Sequence, residues 1–368
     1  MKPYFKISLL AGLAVLLLLA LAGCDGVTGP RGPVGDPGDP GDNYVPPVPT
    51  NRFFSLAITN NSQRSHNGAP KLYLAFDGLH QAAGDTVVSQ RLAAGQTPAI
   101  DGVDNGATEW GDKVTNVTLY RAAGDFNFIE SAQVRSAFDN EFVYFQVKWT
   151  EVANATYGLE VSRSDNPNPW VYPASGTGGN VGRWDKGTSN EDRLNLFFEI
   201  TPVTRYASDG CYVTCHTTER NETNYHATRA ARERIDIWHW TAGTTNHTGY
   251  GYDRYLDNSL TGVKPDIGTP VVRSNREFIA AGADTTDRPL YMALGDPNSN
   301  SGYPLWDFAI TGVANEGWTP GATIPAFVNS IPTLSSADLI AVGQYDNGTW
   351  TVELKRKRIT GNGDDADF

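Results

Sequence analysis

Hydrophobic residues in this chain fall in short alternating runs rather than long amphipathic repeats. The clearest run is Phe142-Val143-Tyr144-Phe145-Gln146-Val147-Lys148-Trp149, dense in aromatic and β-branched residues and preceded by the turn-like Asp139-Asn140-Glu141. That composition predicts a β-strand. Similar runs occupy 53–58, 71–76, 114–120 and 192–200, with Asn, Asp or Gly nearby to end them. The runs 338–345 and 348–354 meet at Asp346-Asn347-Gly348. An Asn-Gly step between two strand-like runs predicts a tight hairpin. No long amphipathic helical pattern occurs after residue 23. Short strands with frequent turns predict an all-β fold of the β-sandwich kind.

Three stretches depart from this pattern. At the front, Lys2 and Lys6 flank the start of an apolar run over 7–22 that closes on Leu21-Ala22-Gly23-Cys24. The run is shorter than the roughly 20 residues of a comfortable membrane span, and its layout is that of an export signal. A cysteine directly after Leu-Ala-Gly resembles a bacterial lipobox, in which residues 1–23 are removed and Cys24 carries lipid. An ordinary secretory signal with an incidental cysteine is the alternative. Glycine then recurs at 26, 29, 32, 35, 38 and 41 among many prolines, the collagen period. Six such triplets are few for a stable triple helix. Residues 24–50, which end in Tyr44-Val45-Pro46-Pro47-Val48-Pro49, therefore read as an extended tether, with a short trimerising stalk as the alternative. The β-rich domain spans 51–368. Within it, 201–260 is polar and rich in Thr, Arg, Tyr and His, and its one strongly apolar run is Ile235-Asp236-Ile237-Trp238-His239-Trp240. It reads as a long loop excursion from the sandwich, and long irregular loops in compact domains tend to carry function.

Composition narrows the function classes. Hydrophobic residues make up 40% of the 368, enough for a real core, and 38 glycines with 22 prolines suit a turn-rich β fold. The net charge is −12, which argues against nucleic acid and suits docking onto basic partners. No nucleophile motif, phosphate loop or His-Glu-x-x-His pattern points to an enzyme. Asp284-Thr285-Thr286-Asp287 reads as a solvated turn rather than a calcium loop.

There are three cysteines. With Cys24 lipidated, Cys211 and Cys215 remain, in Gly210-Cys211-Tyr212-Val213-Thr214-Cys215-His216. Two cysteines in an exported protein ordinarily read as a disulfide. His216 directly after the second favours one covalent haem c, in which each thiol adds across a vinyl group and the imidazole faces the iron. Three residues separate the cysteines where two are usual. For the second axial position methionine is nearly excluded, since Met292 alone remains once Met1 leaves with the signal. Of the six histidines, at 66, 80, 216, 226, 239 and 247, two are the candidates: His226, ten residues past the motif, and His239. Strand alternation would put His239 on the face opposite Trp238 and Trp240. These tryptophans are expected to wall the macrocycle, with core packing as the alternative. Two histidine ligands would favour a low-potential electron carrier.

Several blocks in order resemble the haem-binding domain of the ethylbenzene dehydrogenase gamma-subunit type, shared with cytochrome c-552-like and dimethyl sulfoxide reductase-class proteins. They are Pro98-Ala99-Ile100-Asp101-Gly102, the 142–149 run, Glu191-Asp192-Arg193-Leu194, the cysteine motif, Asp236-Ile237-Trp238-His239-Trp240, Gly251-Tyr252-Asp253-Arg254-Tyr255 and Gly348-Thr349-Trp350-Thr351-Val352-Glu353-Leu354, covering about 95–368. The resemblance implies an immunoglobulin- or carbohydrate-binding-module-like β-sandwich with a long haem-bearing loop region. Gamma subunits of this type hold a noncovalent haem through methionine and lysine. This chain departs from them in its cysteine motif and in Thr241, where relatives commonly show lysine. In cysteine-bearing relatives the place of His226 holds His or Met, which favours His226 over His239.

The expectation is a lipid-anchored monohaem cytochrome c of the bacterial cell envelope, an electron carrier serving redox partner proteins. A carbohydrate-binding module with Trp110, Trp170 and Trp306 as stacking platforms is one alternative. A surface protein made homo-oligomeric by its Gly-X-Y segment is another.

Overall fold

The alternating runs become strands of one large curled sheet. The computed structural model describes residues 48–59, 67–77, 86–120, 129–151, 169–172, 184–186, 191–215, 226–281, 284–295, 304–314 and 317–368. The signal segment, Cys24, the Gly-X-Y triplets and His216 lie outside the described residues. The sheet strands are β1 (Arg52–Thr59), β2 (Asn67–Phe76), β3 (Thr86–Arg91), β4 (Thr115–Thr118), β5 (Ser131–Phe138), β6 (Phe142–Thr150), β7 (Arg193–Thr201), β8 (Arg234–Thr241), β9 (Tyr252–Leu256), β10 (Lys264–Pro265), β11 (Ile340–Asp346) and β12 (Thr349–Lys357). Their order is β10-β9-β8-β7-β1-β2-β3-β5-β6-β12-β11, with β4 also paired to β5. β3 runs parallel to β2 and β5, and the other pairings are antiparallel.

The fold is all-β, as the runs predict, but the two layers are arms of one continuous sheet rather than two separate sheets. Phe145 on β6 meets Phe54 on β1, Phe198 on β7 and Trp238 on β8, at ring separations of 5.9, 5.7 and 5.7 Å. Farther along, Trp240 packs against Trp149 and Trp350 at 6.2 and 4.8 Å. The β11–β12 hairpin turns at Asn347 and Gly348, both at positive φ (48° and 82°), as a tight turn matched to strand twist requires.

Segment 201–260 corrects the sequence reading. β8 sits inside the sheet between β7 and β9, so 234–241 and 252–256 belong to the sheet and not to an excursion from it. β8 carries apolar side chains in both phases because both its faces are covered. Asp284–Arg288, read as a turn, is a strand paired with Glu277–Ala281. Trp110 and Trp170 are buried (0% and 2% exposed) and cannot serve as stacking platforms. Met292 lies in a satellite cluster with Trp170, Trp184 and Ile324. No helix among the described residues is long and apolar enough to cross a membrane.

One end of the inner core is charged. Arg356 on β12 points in phase with Trp350, Val352 and Leu354 and is fully buried. Its Nη1 donates to Asp236 Oδ2 on β8 (2.6 Å) and Asp365 Oδ1 (2.9 Å), and its Nη2 to Ala366 O (2.6 Å). Asp253 on β9 and Asp266 lie beside it, both 3% exposed. Burial and the neighbouring aspartates hold Asp253 well above the usual carboxylate range and push Asp266 up to about 9.

Candidate functional site

The cysteine motif sits on the outer face of the β1–β7–β8 region. Gly210, at φ 60° and ψ −146°, closes the short helix Tyr206–Asp209 just ahead of the helical turn Tyr212–Cys215. Only glycine allows this approach: a Cβ there would fall 1.4 Å from Pro70 O on β2. The next residue is anchored twice, as Cys211 N donates to Ser55 Oγ on β1 (2.9 Å) and to Pro70 O (3.3 Å). Ser55 Oγ also bonds Pro70 O, and the Tyr206 hydroxyl donates to Phe197 O on β7 (2.8 Å). Val213, inside the motif, is buried in a second apolar cluster with Val203, Tyr206, Ile235, Ile237 and Leu256. The motif therefore rides on a rigid surface rather than on a free loop.

The backbone from Cys211 is helical, with Thr214 N donating to Cys211 O at 2.9 Å. Positions four apart on a helix lie on one face, so the three-residue spacing puts 211 and 215 on the same side of one turn. That gives the unusual spacing a physical sense. The chain re-enters the described residues at His226, which is exposed, and Ala227 N donates to Thr214 O at 3.2 Å. The segment carrying His226 is thus tied back to the motif.

His239 reaches the same face by a different route. On β8, Ile235, Ile237 and His239 alternate outward, and Asp236, Trp238 and Trp240 inward. His239 lies opposite Asn195 and Tyr252, one outward position beyond Ile237, or about 7 Å at the strand rise. Its Nε2 is buried with no hydrogen-bond partner. Its ring lies 5.3 Å from that of Tyr252, over which the Arg254 guanidinium sits at 3.7 Å. Burial first, then Arg254 and Arg193, push the imidazole well below its ordinary pKa, so it is neutral, the form that ligates metals. Trp238 and Trp240, both fully buried in the inner core, do not reach this face.

A buried acid near this surface went unnoticed in the sequence. Glu191 accepts from Gly243 N (2.9 Å) and Thr244 Oγ1 (3.3 Å), and burial pushes it up to about 7. A carboxyl raised this way contributes stability fully below pH about 4.5, and that contribution is lost as pH rises through about 7. Glu191→Gln should remove this slope. In urea melts at pH 8 the variant should gain up to about 3 kcal/mol over the parent, and identical pH profiles would refute the assignment.

The donors available suit a haem: a helical turn holding the two cysteine positions, an imidazole on the same face whose buried Nε2 accepts or donates no hydrogen bond, and a second histidine on the returning segment. The family model described as ethylbenzene dehydrogenase matches residues 127–368. No curated protein matches the chain.

Proposed function

The chain belongs to the ethylbenzene dehydrogenase family, and from that premise we propose that it is an extracytoplasmic, lipid-anchored monohaem cytochrome c that passes electrons to or from a partner redox enzyme. The observation that carries the reading is His239 Nε2, buried and without a partner on the face of β8 where Ile237 shares a cluster with Val213 of the cysteine motif. Buried polar nitrogens are nearly always partnered, and an iron is a partner this nitrogen lacks.

Cys211 and Cys215 would hold the haem covalently, and His216 and His239 would ligate its iron, with His226 as the competitor of His239. Bound there, the haem iron would supply one-electron oxidation and reduction. The protein's part is to fix the motif through Ser55 and Pro70 and to keep His239 neutral. Cys24 and the tether of 24–50 would keep the domain near the envelope surface while it exchanges partners. The carbohydrate-binding alternative is weakened by the burial of Trp110 and Trp170.

The test is the protein produced with a c-type maturation system, run on a haem-stained denaturing gel and read as a reduced pyridine haemochrome. Covalent c-type haem is expected, and its loss in the double change Cys211→Ala with Cys215→Ala. A parent without c-type absorbance refutes the cytochrome. His239→Ala should convert the spectrum from low-spin to high-spin and His226→Ala should not. The reverse pattern would reassign the ligand and leave the cytochrome standing.

A further inference from the structure

We infer that the buried aspartates between β8, β9 and segment 364–368 form a calcium site, on the opposite face of β8 from the cysteine motif. Among the described residues, Asp236, Asp253 and Asp365 bring carboxylate oxygens within 4.8 Å of one another, all buried. Asp266 joins them through the chain, its N donating to Asp253 O at 3.3 Å.

The second observation is how poorly these carboxylates are served. Asp236 Oδ2 is well supplied, by Arg356, by Ala366 N (2.9 Å) and by Trp238 Nε1 (3.2 Å). Yet Asp236 Oδ1, both oxygens of Asp253 and both of Asp266 are buried and accept no hydrogen bond. The nearest approach of Arg356 to Asp253 is 3.5 Å. The guanidinium is already committed to Asp236, Asp365 and Ala366. A second guanidinium, Arg52, gives its Nη1 to Glu199 O and stacks over Phe368. Four buried carboxyl groups crowd round Arg356 with five bare oxygens, and a protein interior holds such a cluster only by protonating its acids or by taking up a cation.

The donor chemistry selects the cation. The ligand atoms brought together here are carboxylate oxygens, which excludes a zinc-type site built on nitrogen or sulfur. A cage of several protein carboxylates fits calcium, because magnesium keeps most of its water and takes one or two. The site would pin segment 364–368 to the sheet. In that segment Phe368 packs against Phe198 and Trp238 at 5.0 and 5.6 Å. Calcium would therefore act as a staple, and it does not depend on the haem.

Trp238, bonded to Asp236, makes the site readable. The chain after dialysis against calcium should retain one equivalent of the metal. Terbium in its place should luminesce when tryptophan is excited, and calcium should quench that signal by displacement where magnesium at the same concentration does not. Chelation with EGTA should lower the melting temperature, and calcium should restore it. Asp253→Asn and Asp266→Asn should each weaken terbium and calcium binding about tenfold or more. Both remove charge from a repulsive cluster, so both should fold, while Asp346→Asn on the exposed hairpin should bind as the parent does. A chain that retains no calcium and melts alike in EGTA and calcium overturns the proposal. So do Asp253→Asn and Asp266→Asn chains that bind like the parent, or an Asp346→Asn chain that loses binding equally.

Discussion

Replacing Arg356 by methionine should cost the fold about 3–5 kcal/mol, the range measured when one partner of a buried ion pair is removed. The guanidinium is fully buried and spans three groups with two nitrogens: Nη1 reaches Asp236 and Asp365, and Nη2 reaches Ala366 O. It also lies 4.7 Å over the Trp238 ring. Methionine fills much the same space but takes from Asp236 and Asp365 the charge and hydrogen bonds of the guanidinium. Lysine should recover only part of the loss. A single ammonium cannot present two parallel donors to a carboxylate and a carbonyl at once. Urea melts give the free energy, and near-UV circular dichroism reports the packing of Trp238. A loss under about 1 kcal/mol for the methionine variant would mean that the aspartates are neutral in the native chain and that Arg356 is not their counterion.

This cluster also marks where the sequence stopped being readable. The strand runs at 142–149, 192–200 and 338–354 were legible because alternation and the Asn-Gly turn act locally, and β6, β7, β11 and β12 fall on them. The placement of 235–240 was not. Its flanks are polar, and nothing local shows that a long excursion returns to the sheet between two neighbours. The acid cluster joins residues from 236 to 365, brought together only by sheet order. Two signals were nevertheless present. Asp236 shares its strand phase with Trp238 and Trp240, and Arg356 shares its phase with Trp350, Val352 and Leu354. A charge on the core-facing phase of a strand needs a buried partner, and each chain segment held half of the pair. The outward phase was read correctly for His239. What alternation alone left hidden was that Ile237, one position before it, shares a cluster with the cysteine motif, which follows from the path of 202–215 over the outer face. The tryptophans beside His239 went to the core for the same reason of phase.

Gly210→Ala should have the second large effect, concentrated on the motif rather than on the sheet. Gly210 occupies a backbone region nearly closed to other residues, which by itself costs about 1–3 kcal/mol to force. The added methyl would also overlap Pro70 O, 1.4 Å away. That carbonyl cannot yield easily, because it belongs to a sheet strand and takes both Cys211 N and Ser55 Oγ. The motif turn must lift instead, which breaks Cys211 N to Ser55 Oγ and uncovers Val213, worth about 1.5–3 kcal/mol as a buried side chain. Residues 202–215 and 226–233 lie outside the inner core, so they can detach while β1, β2 and β7 stay paired. Hydrogen exchange should show protection lost at 211–214 and 227 but kept in β6 and β12, and covalent haem per chain should fall about tenfold or more. Gly95→Ala is the control. Gly95 has a positive φ of 83° but open space where its Cβ would go, so it should cost about 1 kcal/mol and keep its haem. If Gly210→Ala matches Gly95→Ala in both stability and haem content, the close seating of the motif on β2 is not what presents its cysteines.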